Sequence, residues 1–194
     1  MPDDNVRNAN ISQIHKLRFF VYNPEKEGPY PLKHDLVVSA LTAQWFGDFG
    51  RGVSALANSV SDRGHIILSY LTNSSFPEWA KKCSELDIPF TANRLPETGS
   101  GSDILKSLGF DVRSEHICIS IDYQSAIHFF RSLKMTGAST QLGGISNRTS
   151  DMKRLISAID QSDNGICKPD NIKITYGLDV VTGFKKTNQT GKQG

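Results

Sequence analysis

The chain predicts an α+β (or α/β) fold: a mixed sheet with helices in a single compact domain. Two patterns carry this. Strand-like runs such as HIILSYL (65–71) and HICISID (116–122) alternate with helical stretches such as 151–160, where Met152, Leu155, Ile156 and Ile159 share one side. The length of 194 residues, with 38% hydrophobic and 22% charged side chains, suits one globular domain that folds without a metal or a disulfide. Residues 1–15 are expected to be loose, 16–184 to form the domain, and 185–194 to be a polar tail.

The elements follow in order. Lys16–Tyr22 (KLRFFVY) predicts a strand closed by Asn23-Pro24, and the proline-rich stretch 24–31 a loop. Val37, Leu41 and Trp45 recur every four residues beside Val38. That spacing predicts a helix over 35–46, with Asp35 as N-cap and Gly47 as stop. A weaker helix is expected over 53–60 and a strand over 64–71. Ser75 with Pro77 predicts a helix over 77–86. Further expectations are a strand over 88–95, a loop over 96–102, a short helix over 103–108 ended by Gly109, a strand over 115–122 and a helix over 123–134. A long polar loop at 135–150, a helix over 151–160 and a last strand over 171–181 complete the pattern. The expected core includes Val37, Leu41, Trp45, Leu68, Leu105, Ile119, Phe129 and Leu155.

Charge and cysteine usage exclude several classes. Twenty-two basic and twenty acidic residues leave +2, which excludes nucleic-acid binding by bulk charge. Cys83, Cys118 and Cys167 are far apart, and no cysteine–histidine cluster has zinc spacing, so neither a structural metal nor a cofactor is expected. The polar N-terminus does not read as a signal peptide, and no apolar run approaches a membrane span. The expected location is cytoplasmic or host-intracellular, with the sequons at Asn10, Asn73, Asn147 and Asn188 read as chance.

The most unusual feature is a near-duplicated strand. His65-Ile66-Ile67-Leu68-Ser69 and His116-Ile117-Cys118-Ile119-Ser120 share one pattern. With a period of two, each histidine shares a face with its serine. Side by side, two such strands would converge two imidazoles, suited to general acid–base work on a phosphodiester, with hydroxyls holding the non-bridging oxygens. The loop Gln141–Asp151, with Gly143-Gly144 and Arg148, is a candidate anion site.

Arg18-Phe19-Phe20-Val21 followed by the two histidine strands resembles the 2H phosphoesterase superfamily. The family has a hydroxyl two residues after each histidine, where this chain has Ile67 and Cys118. The resemblance implies a metal-independent RNA or cyclic-oligonucleotide phosphodiesterase with His65 and His116 catalytic; Ser69 and Ser120, one pleat beyond the family's hydroxyls, and Arg148 of the glycine loop are the candidate substrate contacts. A nucleotide or RNA ligand is the implied partner. A competing reading takes the order of KLRFFVY, the helix ending at Trp45 and IILSYLTNSS as similar to rhabdovirus-type matrix proteins. It implies a non-enzymatic adaptor that self-associates and binds membrane or nucleoprotein. A third possibility, drawn from 65–95, is a thioredoxin-like accessory fold lacking the paired cysteines.

Overall fold

Local chemistry sets each element from Asn23 onward in a computed structural model that describes residues 21–135, 148–161 and 171–187. The Asn23 side chain accepts the Glu25 and Lys26 amides, and Pro24 fills the first helical position, giving a one-turn helix α1, Pro24–Glu27. The apolar run HDLVVSA extends as β1, His34–Ala40. Leu41 then turns the chain with φ 50° into a 3-10 turn, Ala43–Trp45. Asp48 caps α2, Phe49–Asn58, by accepting the Arg51 amide. Strand β2 is Val60–Leu71 and helix α3 is Pro77–Glu85. Gly99, at φ 88°, starts α4, Ser100–Ser107, and Gly109, at φ 82°, follows its end. The remaining elements are β3 (Phe110–Tyr123), α5 (Ala126–Met135), α6 (Thr149–Asp160) and β4 (Ile172–Lys185).

The sheet order is β1-β2-β4-β3. β1 and β2 are parallel, and β4 runs antiparallel between β2 and β3. The carboxyl ends of β1, β2 and β3 therefore lie at the same end of the sheet. The alternation of β2 and β4 divides the core. Ile66, Leu68, Tyr70 and Val181 point to one face, where Val53 and Ala57 of α2 and Leu105 of α4 cover them. Ile172 and Ile174 point to the other, against Trp79 of α3, Phe129 of α5 and Leu155 of α6. The architecture is thus a single compact domain, a mixed four-stranded sheet with helices on both faces, in the predicted class.

Several elements differ from the sequence reading. The expected helix over 35–46 is strand β1 and a 3-10 turn. Its four-residue spacing is real, but Val37 and Val38 are β-branched and pair with Ile66 and Ile67 of β2. Residues 88–95 form no strand. The stretch is bounded by Pro89 and Pro96, each lacking an amide donor, and it passes over the second core as coil. α2 starts four residues before the expected Val53, and β2 four before Gly64. α4 starts inside the expected 96–102 loop. β3 and β4 each run to 14 residues, longer than expected. Ser75 is not the cap of α3: Phe76 holds that position with φ 64°, and the Ser75 hydroxyl donates to the Gly177 carbonyl. Within the expected core, Leu68, Leu105, Phe129 and Leu155 are fully buried, whereas Leu41, Trp45 and Ile119 remain partly open. Residues 16–20 of the expected first strand, most of the 135–150 loop, and the tail beyond residue 187 lie outside the described residues.

Two buried phenols give the fold an alkaline limit. Burial pushes Tyr70 far above the usual 10.0, with the Asp179 carboxylate adding to the rise. Burial, then the hydrogen bond with Tyr123, does the same to Tyr176. The folded state keeps protons that the unfolded chain releases above pH about 10, so this stability is complete below that pH and is lost as pH rises. Melting temperature should fall steadily from pH 10 to pH 12. A flat profile over that window would contradict the buried placement of both rings.

Candidate functional site

The carboxyl ends of the parallel strands frame a cavity of about 650 Å³ on the α3/α5/α6 side of the sheet. In open α/β sheets this end is where ligands bind. Leu41 and Trp45 enter from the turn after β1, Leu71 from the end of β2, and Ile119 and Ile121 from β3. Trp79 of α3 and Phe130 of α5 close the far side, and the 91–95 coil forms a further wall. Leu41, Trp45 and Ile119, expected in the core, are instead cavity wall. No described lining residue is charged. Gln44 Nε2 donates to the Leu41 carbonyl at 2.8 Å, while its buried Oε1 has no hydrogen-bond partner among the described residues. The Gln44 side chain thus lies beneath the wall and ties the turn after β1 together.

The opposite face carries a polar network. Asp179 lies on β4, 3% exposed. Its Oδ1 accepts His116 Nδ1 at 2.7 Å, and its Oδ2 accepts the Tyr70 hydroxyl at 2.9 Å and the Gly99 amide at 2.7 Å. The Gly101 amide donates to the Tyr70 oxygen. His116 Nε2 is 3.2 Å from Ser74 Oγ, in the turn after β2. An acid inside the apolar run ITYGLDVV is the signal that could have marked this centre in the sequence, because a buried carboxylate needs partners.

The register separates the two candidate histidines. His65 faces Phe184 and His116 faces Asp179, five residues apart along β4 (184 minus 179). An odd offset puts them on opposite faces, with about 17 Å of strand between them. His65 is exposed and packs on the Phe184 ring. Ser69 faces Val180 on the His65 side, and its hydroxyl accepts the Leu41 amide. Ser120 shares the His116 face, bonded to the Thr175 hydroxyl. Arg148 immediately precedes α6. No phosphate can sit between His65 and His116.

No protein-family model matches the chain. It is 30% identical over 117 residues to a malonyl-(acyl-carrier protein) O-methyltransferase of Magnetococcus marinus, covering 60% of this chain and 41% of that protein. It is 27% identical over 143 residues to the biotin biosynthesis bifunctional protein BioCD of Bordetella avium, covering 73% and 30%. Its fold matches the crystal structure of a putative methyltransferase from Bacillus halodurans with a TM-score of 0.52 at 12% identity, covering 84% and 69%. The chain has a methyltransferase fold. It spans less than half the length of either curated relative.

These likenesses overturn the resemblance to 2H phosphoesterases, and with it the phosphodiesterase reading. The short strand motif misled because it fixes which residues share a face but not which face meets the core. The matrix-like adaptor reading falls to the same relatives. Among the described residues, no helix is long and apolar enough to cross a membrane, and no group of three or more histidine, cysteine or acidic residues could hold a metal.

Proposed function

We propose that this chain supplies the acceptor-binding part of an O-methyltransferase that acts on the free carboxylate of a malonyl-type thioester. The observation that carries the reading is the 30% identity over 117 residues to the malonyl-(acyl-carrier protein) O-methyltransferase. The cavity supports it. Its uncharged apolar wall suits an acyl chain, and O-methylation turns the acid into a neutral ester matched to such a wall. Desolvation also leaves the attacking carboxylate oxygen less tightly held by water. Arg148, one helical turn before the lining residue Met152, is the proposed contact for an anionic end of the ligand.

A methyl donor of the S-adenosylmethionine kind does not fit the described residues. Its ribose diol is ordinarily held by a carboxylate. The cavity lining has none, and the buried Asp179 is already filled by His116, Tyr70 and Gly99. The edge strand β1 supports a donor-binding part elsewhere. Its outer side pairs with nothing among the described residues, and Leu36 and Val38 are 55% and 58% exposed. Parallel strands with apolar side chains seldom end a sheet in this way.

Both tryptophans of the chain, Trp45 and Trp79, line the cavity, so their fluorescence reports its contents. Titration with the methyl ester of malonyl-N-acetylcysteamine should give a saturable change. Ile119→Asp, at a wall position open enough to tolerate it, should weaken binding at least about 10-fold by placing a charge against the acyl chain. Absence of saturation, or equal affinity in the variant, would refute the assignment of the cavity.

A further inference from the structure

The network on the opposite face has the layout of an acyl-transfer site, and this inference does not rest on the methyltransferase reading. We propose that Ser74, His116 and Asp179 form a nucleophile, base and orienting acid that hydrolyse small activated esters or thioesters.

Three observations support it. The first is the chain of contacts. Ser74 Oγ lies 3.2 Å from His116 Nε2, and His116 Nδ1 lies 2.7 Å from Asp179 Oδ1. Asp179 is held rigidly by the Tyr70 hydroxyl and the Gly99 amide, so the imidazole is fixed with Nδ1 toward the carboxylate and Nε2 toward the serine. The second is the local fold. Ser74 sits in a tight turn, closed by the Ser75 amide on the Thr72 carbonyl, between the end of β2 and the start of α3. A strand–turn–helix corner of this kind presents a nucleophile at the end of a sheet. The third is the space kept for the hydroxyl. A Cβ added to Gly177 on the neighbouring strand would fall 1.8 Å from Ser74 Oγ, so only glycine lets the serine lie there. Among the described residues no acceptor meets the Ser74 amide, which leaves an N–H beside the nucleophile for an oxyanion. The His116 side chain is 31% exposed, so a small acyl group can reach it.

In the first half-reaction the Ser74 hydroxyl gives its proton to His116 Nε2 and its oxygen bonds to the acyl carbon. The bond from that carbon to the alkoxide or thiolate breaks, and the leaving group takes the proton from His116. Water then adds to the Ser74 ester, His116 accepts its proton, and the acyl–Ser74 bond breaks to release the carboxylic acid and restore the hydroxyl. Cys118 Sγ, 3.6 Å from the same Nε2, is the rival nucleophile.

A fluorophosphonate probe and p-nitrophenyl acetate test the proposal on the full chain. Mass spectrometry should place the phosphonyl adduct on Ser74. Ser74→Ala should abolish the adduct and lower ester hydrolysis at least about 100-fold, and His116→Gln should slow labelling by a similar factor. Both variants change partly exposed side chains, and an unchanged melting temperature would show that they fold. An unlabelled wild-type protein, or an adduct elsewhere, would overturn the proposal. So would hydrolysis that survives Ser74→Ala and disappears in Cys118→Ala.

Discussion

Phe129→Ala should cost about 4 kcal/mol, the scale of a buried aromatic lost from a core. Phe129 is fully buried on α5. Its ring meets Phe76 at 5.8 Å, Trp79 at 6.0 Å, Tyr123 at 5.4 Å and Phe130 at 4.9 Å between centroids. These partners come from the turn after β2, from α3, from the end of β3 and from α5 itself. One truncation therefore loosens α3, α5 and the ends of β2 and β3 behind the cavity. For a chain of this size the melting temperature should drop by about 10 °C. The variant should also lose the fluorescence response to the acyl ligand, since Trp79 and Phe130 are cavity wall. A drop of only a degree or two in thermal melting would mean that this aromatic cluster does not hold the α3/α5 layer.

Asp179→Ala should cost about 3 kcal/mol: it removes three hydrogen bonds, of which the buried pair to Tyr70 and Gly99 carries most of the loss. The substitution strands the Gly99 amide and leaves the Tyr70 hydroxyl only its bond from Gly101. His116→Ala should cost less than about 1 kcal/mol, because that side chain is partly in solvent. Chemical denaturation of the two variants separates their roles. Equal losses would show that His116, rather than the clamp on Tyr70 and Gly99, carries the energy of this network.

How much of the molecule could be read from its residues depends on the range of the interaction. α6 was legible because Leu155 and Ile159 sit one turn apart on a side that is buried. The centres of β2 and β3 were legible from their β-branched and apolar runs. β1 was not, because Val37, Leu41 and Trp45 satisfy a helical spacing that only the pairing of Val37 and Val38 with β2 overrides. The repeated histidine pattern shows the same limit. In β2 the residues after His65 and Ile67, namely Ile66 and Leu68, point into the α2/α4 core. In β3 the equivalent Ile117 and Ile119 point to the other face, and His116 takes the core-side orientation beside Asp179. The parity of each strand's register on β4 decides this, and no local pattern encodes it. The cavity was invisible for a related reason: Gln44, Trp79, Ile119 and Phe130 come from four separate segments. Ser74 and Asp179 lie more than a hundred residues apart and meet only through His116.

The proposed function has this chain bind the acyl acceptor and leave the methyl donor to residues elsewhere. Equilibrium dialysis with two radiolabelled ligands measures it directly, using the methyl ester of malonyl-N-acetylcysteamine in one cell and S-adenosylmethionine in another. The thioester should be retained on the protein side in a saturable way, and S-adenosylmethionine should reach equal concentration on both sides. Retention of S-adenosylmethionine, or free passage of the thioester, would contradict it.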